Sequence, residues 1–127
     1  MIHIVIVDDE ADTHLLYKLK FKKLFSDLGE LNLVSFLNAS DCLKYLQSDS
    51  KPRVDLILSD INMPEMDGFA LLEKIQALNL KIPVYMVSAY ESHEFRKKAD
   101  ALGASGFLSK PVDFQVLSNL VKRDLSL

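Results

Sequence analysis

Five short apolar runs, separated by longer segments of helical period, constrain this chain more than any other feature. The runs are rich in β-branched residues and predict strands near 2–7, 31–36, 54–59, 83–87 and 106–109. The segments between and after them predict helices near 10–28, 39–48, 67–79, 91–102 and 112–124. Strand and helix in alternation is the pattern of βαβ units around a parallel sheet. Parallel neighbours need crossover connections, and their right-handedness puts helices on both faces of the sheet. The expected class is therefore α/β.

Local patterning supports each element. In the first helix Tyr17, Phe21, Leu24, Phe25 and Leu28 form one apolar stripe, and Gly29 is placed to end it. Ser40 or Asp41 starts the second helix, which buries Cys42, Leu43 and Leu46. Gly68 opens the third after the Pro64-Glu65-Met66-Asp67 turn, with Phe69, Leu72, Ile75 and Leu78 inward. Phe95, Ala99 and Leu102 line the fourth, and Val116, Leu120 and Leu117 are expected to hold the fifth. Pro83 begins a strand, where its missing N–H is tolerated. Leu15 and Leu19 leave the stripe of the first helix for an arc shared with Lys18, Lys22 and Lys23. They are either ordinary surface leucines or an apolar docking strip rimmed by lysines.

Composition narrows the function. At 127 residues the chain fits one domain, 1–127, with a net charge of −3 and no basic stripe, which argues against nucleic-acid binding. No run approaches the roughly 20 consecutive apolar residues of a membrane span. The N-terminus enters a strand directly and carries no signal-peptide pattern. The lone Cys42 cannot form an internal disulfide, in keeping with a reducing cytoplasm. His3, His14 and His93 have no metal-ligand spacing with Cys42 or with one another, and none reads as catalytic.

The chemistry is expected where strands end. Asp8 and Asp9 follow the first run and Asp60 follows the third. In a parallel α/β sheet these ends converge on one rim, where such folds bind ligands. Three converging carboxylates repel, so they either share protons or hold a hard cation such as Mg²⁺ or Mn²⁺. Asp60 can then serve as a nucleophile toward phosphorus, with the cation neutralising phosphoryl charge. A main-chain carbonyl from Asn62 can complete the protein ligands. Lys110 and Ser88 end two further strands, placed to meet phosphoryl oxygens with an ammonium and a hydroxyl. Singly, a lysine before a proline is surface charge and a serine after a strand is a cap; together with the three aspartates they form a constellation.

Asp8-Asp9, the Ser-Asp-Ile-Asn-Met-Pro-Glu-Met-Asp-Gly run at 59–68, Ser88-Ala89 and Lys110-Pro111 stand in order along the chain. In this set the sequence resembles the receiver domain of two-component response regulators, in a chemotaxis-regulator-like single domain. The resemblance implies a flavodoxin-like, five-stranded doubly wound sheet of order 2-1-3-4-5 and a cis Lys110–Pro111 peptide. It implies transfer of a phosphoryl group to Asp60 from a sensor histidine kinase or histidine phosphotransferase. Ser88 is then the hydroxyl that moves toward the new phosphoryl group, and Phe107 the aromatic switch that rotates inward with it. Ala89 leaves room for the phosphoryl group, while Asn62 and Tyr90 flank it; Tyr90 is expected to shield it from water.

On this reading the chain is not a metabolic enzyme and catalyses only its own phosphorylation and dephosphorylation. The alternative is a receiver-fold interaction module that works without phosphorylation. A Mg²⁺-dependent phosphohydrolase is disfavoured, because Asn62 cannot supply the second carboxylate that acid/base catalysis needs. The fourth helix, last strand and fifth helix form the expected surface for a downstream target, an output domain or a homodimer. Arg96, Lys97, Lys98, Asp100 and Asp113 lend it charge. The sequence ends at Leu127 with no room for a DNA-binding unit, so a stand-alone regulator and a receiver from a larger protein both remain open.

Overall fold

Alternate residues of the central strands are buried on opposite faces, so one sheet sits between two apolar layers. In the computed structural model, which describes residues 2–26, 31–90 and 93–126, the chain runs β1 (Ile2–Val7), α1 (Ala11–Leu24), β2 (Leu31–Phe36), α2 (Ala39–Leu46), β3 (Leu56–Asp60), α3 (Gly68–Ala77), β4 (Val84–Ser88), α4 (His93–Ala101), β5 (Gly106–Ser109) and α5 (Phe114–Asp124). All strand pairs are parallel and the sheet order is β2-β1-β3-β4-β5. This is the flavodoxin-like, doubly wound arrangement that the resemblance implied.

Ile4, Ile6, Leu56, Leu58, Tyr85 and Val87 face α1 and α5, meeting Tyr17, Phe21, Leu117 and Val121. Val5, Val7, Ile57, Val84 and Met86 face the other way, onto Cys42, Leu46, Leu72, Ile75 and Ala99 of α2, α3 and α4. Burial on both faces explains why β1, β3 and β4 read as continuous apolar runs.

The local differences from expectation have physical causes. β3 begins at Leu56, and the Asp55 side chain before it accepts the His3 N–H at 2.9 Å. β3 and β4 each reach one residue further than expected, making Asp60 and Ser88 the last strand residues rather than the first loop residues. α1 ends at Leu24, where the Phe25 N–H closes onto the Phe21 carbonyl at 2.9 Å. Leu28 and the Gly29 stop lie outside the described residues, as do positions 91 and 92 of the expected fourth helix. Asn38, not Ser40 or Asp41, caps α2, accepting the Asp41 N–H. α5 is rotated from its expected phase: Leu117 and Val121 are buried, whereas Val116 is 45% exposed.

Gly68 is the tightest fit between the scaffold and the rim. A Cβ there would stand 2.3 Å from the Asp60 carbonyl oxygen and 2.8 Å from Ile61 Cα, so only glycine lets α3 start this close beneath β3. The Asp67 side chain caps the helix through the Ala70 N–H at 2.8 Å. We expect Gly68→Ala to cost on the order of 1–3 kcal/mol as an overpacking substitution, read as a lower urea midpoint. An unchanged midpoint would mean that α3 shifts off β3 freely.

Candidate functional site

β1 and β3 are adjacent, so their final carboxylates converge. Oxygens of Asp8, Asp9 and Asp60 lie within 4.8 Å of one another; Asp8 and Asp60 are buried and Asp9 is exposed. Lys110, the residue after β5, reaches across the end of β4 to both buried acids. Its Nζ stands 3.1 Å from Asp8 Oδ2 and 3.5 Å from Asp60 Oδ1. Three carboxylates against one ammonium leave a formal excess of two negative charges.

The partners differ between the two buried acids. Asp8 Oδ1 accepts the Glu10 N–H at 2.9 Å while its Oδ2 accepts from Lys110. Among the described residues, the Asp60 carboxylate has only the longer Lys110 contact. Burial pushes its carboxyl up from the ordinary 3.8 to about 6, with Lys110 pulling it down and the Asp8 and Asp9 charges pushing it up. Burial also works to lower the Lys110 pKa, but the Asp60 and Asp8 carboxylates outweigh it and the net shift is upward.

Ser88, fully buried at the end of β4, accepts the Tyr90 N–H at 3.0 Å through its Oγ. Asn62 Nδ2 approaches the same oxygen at 3.4 Å, bridging the loops after β3 and β4. The Lys110 N–H donates to the Ser88 carbonyl at 2.8 Å, and the Lys110–Pro111 peptide is cis, as expected. Phe107 lies opposite Met86 on β5 and is half-buried. The Arg96 guanidinium covers its ring at 4.7 Å while Arg96 Nη2 reaches Ser109 Oγ at 3.4 Å. The exposed Tyr90 ring packs edge-on against Phe95, its centroid 6.5 Å away.

All the residues expected at the rim from the ends of β1, β3, β4 and β5 are therefore in place. Two neighbours were not anticipated. His14 is 6% exposed, and its Nε2 lies 2.8 Å from the Asp8 main-chain oxygen. Tyr17 is buried one turn further along α1; burial, then the Asp8 and Asp60 charges, hold its phenol above the ordinary range. The signal was present in the stripe of α1, since His14, Tyr17 and Phe21 share one buried face.

The donor set fits a hard divalent cation: it is all oxygen, anionic, and closely spaced. It does not fit a soft metal, since Cys42 is buried in the core formed with α2 and α3.

A family model described as response regulator receiver domain matches residues 4–122. Hybrid signal transduction histidine kinase D of Dictyostelium discoideum is 36% identical over 127 residues, covering 94% of this chain and 8% of that protein. Sensor histidine kinase RcsC of Salmonella typhimurium is 35% identical over 114 residues, covering 90% of this chain and 11% of that protein. This chain thus spans only a small part of either relative. Among solved structures, chemotaxis protein CheY4 of Vibrio cholerae superposes with a TM-score of 0.80 at 26% identity, covering 97% of this chain and 98% of that one. The receiver domain of Francisella response regulator 1452 gives a TM-score of 0.84 at 22% identity over 99% and 98% of the two chains, a likeness of fold.

The Asp60 shift has a signed consequence for the metal-free chain. A carboxyl whose pKa is higher folded than unfolded binds protons more tightly when folded. Stability is then lost as pH rises from about 4 through about 6. With a chelator present, Asp60→Asn should be more stable than wild type at pH 7.5, by on the order of 1–3 kcal/mol. The difference should shrink toward zero near pH 4. Thermal melts across this range check it; equal stability at pH 7.5 would contradict a strained Asp60.

Proposed function

We propose that this chain, which belongs to the response regulator receiver family, is a phosphorylation-driven signalling switch with Asp60 as its phosphoryl acceptor. One observation carries the reading: Asp60 is buried at the end of β3, within 4.8 Å of Asp8 and Asp9 and 3.5 Å from the Lys110 ammonium. A nucleophilic carboxylate has there the cationic partner that an incoming phosphoryl group requires.

In the reaction an Asp60 carboxylate oxygen forms a bond to phosphorus, and the phosphorus–nitrogen bond of a donor phosphohistidine breaks. The imidazole departs with the electron pair of that bond. Water later cleaves the acyl phosphate, releasing phosphate and restoring the carboxylate. Mg²⁺ or Mn²⁺, held by Asp8, Asp9, Asp60 and the Asn62 main-chain carbonyl, would neutralise phosphoryl charge. Lys110 moves from bridging two carboxylates to pairing with phosphoryl oxygens, and Ser88 turns its hydroxyl to them. Phe107 follows inward, altering the α4–β5–α5 surface that meets a downstream target, an output domain or a second copy. Residues 1–127 act as one receiver domain in the cytoplasm, modifying only themselves. Among the described residues, no helix is long and apolar enough to cross a membrane.

Beryllofluoride, a phosphoryl mimic, supplies the test. With Mg²⁺ it should shift amide resonances at the ends of β3, β4 and β5 in wild type and leave Asp60→Asn unchanged. Absence of any Mg²⁺-dependent response would favour the phosphorylation-independent interaction module.

The donor's docking face is the exposed arc of α1. Leu15 and Leu19 are 60% and 69% exposed, with Lys18, Lys22 and Lys23 also solvent-facing. An apolar cavity of about 320 Å³ lined by Leu16, Tyr17, Lys110 and Phe114 lies between this helix and the start of α5. We expect Leu15→Asp with Leu19→Asp to slow phosphotransfer from a donor kinase at least about tenfold, since each buried anchor contributes a kcal/mol or more. Phosphorylation by the small donor phosphoramidate should be unchanged. Full-rate transfer from the kinase would remove the docking assignment.

A further inference from the structure

We propose that His14 is a positioning residue for the acidic pair, clamping the peptide between Asp8 and Asp9 so that both carboxylates keep the spacing a hard divalent cation requires. The inference rests on the reading of Asp8, Asp9 and Asp60 as a cation site.

The turn from β1 into α1 has few other restraints. Glu10 occupies the N-cap position of α1 but makes no side-chain cap hydrogen bond. The Asp8 N–H donates to the Phe36 carbonyl at 3.1 Å, and Asp8 Oδ1 takes the Glu10 N–H. The Asp8 carbonyl is held by His14 Nε2 at 2.8 Å. A carbonyl only accepts, so Nε2 carries the hydrogen. Because a peptide unit is planar, fixing that carbonyl also fixes the direction in which the Asp9 nitrogen and Cα leave it. Asp9 depends on this clamp, because its own exposed carboxylate makes no hydrogen bond or ion pair among the described residues.

Packing does not account for a histidine here. Along the same face Tyr17, Phe21 and Phe25 are aromatic and buried. His14 Nδ1 is buried with no hydrogen-bond partner among the described residues. A leucine would bury the same face and leave no orphan nitrogen, which carries a desolvation cost. What a leucine lacks is the N–H that holds Asp8. A polar group one shell behind a metal ligand commonly changes metal affinity by 10- to 100-fold when removed.

Two variants separate positioning from bulk structure. His14→Leu removes the donor while filling the space, and His14→Gln retains a side-chain N–H at comparable reach. Mg²⁺ titrations followed by the Asp9 and Glu10 amide resonances should show the dissociation constant rising about tenfold in His14→Leu. Most of the affinity should return in His14→Gln, while the metal-free thermal midpoint of His14→Leu stays at or above wild type. Nitrogen-15 spectra of the wild-type imidazole should show the hydrogen on Nε2. Wild-type affinity in His14→Leu overturns the inference, as do equally weak binding in both variants or a hydrogen on Nδ1. A wild-type chain with no Mg²⁺ response removes the cation reading itself and this inference with it. A wild-type response retained in full by His14→Leu removes only the inference.

Discussion

The ammonium of Lys110, paired with the two buried carboxylates of Asp8 and Asp60, organises the rim of this sheet. Lys110 leaves β5, yet its partners end β1 and β3, and β4 lies between. Two strand intervals, roughly 10 Å, separate β5 from β3, and a third separates it from β1, so the lysine meets both acids only if its main chain is fixed and its path is open. The Ser88 carbonyl supplies the anchor, holding the Lys110 N–H at 2.8 Å. The small side chain of Ser88 at the end of β4 leaves the path clear. Gly68 serves the same geometry from below, letting α3 start against the Asp60 carbonyl. Residues scattered from 8 to 110 are thus joined by one electrostatic requirement.

That requirement is met only in part, which gives the site its character. Burial favours the neutral form of Asp60, neighbouring carboxylates reinforce the penalty, and Lys110 relieves some of it. Local conflict of this kind is expected where function overrides packing. A positive or electrophilic group entering the rim would stabilise the folded chain by binding it preferentially. The same contacts extend outward: Ser88 faces Ser109 in register, and Ser109 meets Arg96, which also covers the Phe107 ring. These contacts lead from the end of β4 to α4 and to the Phe107 ring on β5.

Much of this was legible in the sequence, and the exceptions are instructive. The central strands are buried on both faces, so their apolar runs stood out without any need for phase. Their final residues were placed within one position, close enough to name Asp60, Ser88 and Lys110. Helix phase was harder. In α5, Val116 and Leu117 are adjacent and similar in hydropathy, so only the sheet decides that Leu117 turns inward. At α2, three closely spaced polar residues compete for the cap, Asn38, Ser40 and Asp41, and the backbone geometry of Asn38 settles it. The 2-1-3-4-5 order came through family resemblance, since periodicity does not specify which strands are neighbours. His14 was passed over because it was weighed as a metal ligand; its role depends on a main-chain carbonyl, which no side-chain pattern reveals.

The roles proposed for Asp8 and Asp60 differ with their donors rather than with their position. Both are buried, both lie at the end of a strand, and both touch Lys110. Asp8 has each oxygen engaged, by Glu10 and by Lys110, at 2.9 and 3.1 Å. Its lone pairs are directed and its rotation is restricted, which suits a fixed ligand. Among the described residues the Asp60 carboxylate has one partner, Lys110 at 3.5 Å, and lone pairs left over. A carboxylate deprived of donors is raised in energy relative to one that is satisfied, and bond formation to an electrophile relieves that deficit directly. The two residues are chemically identical, so the roles proposed for them rest on their surroundings.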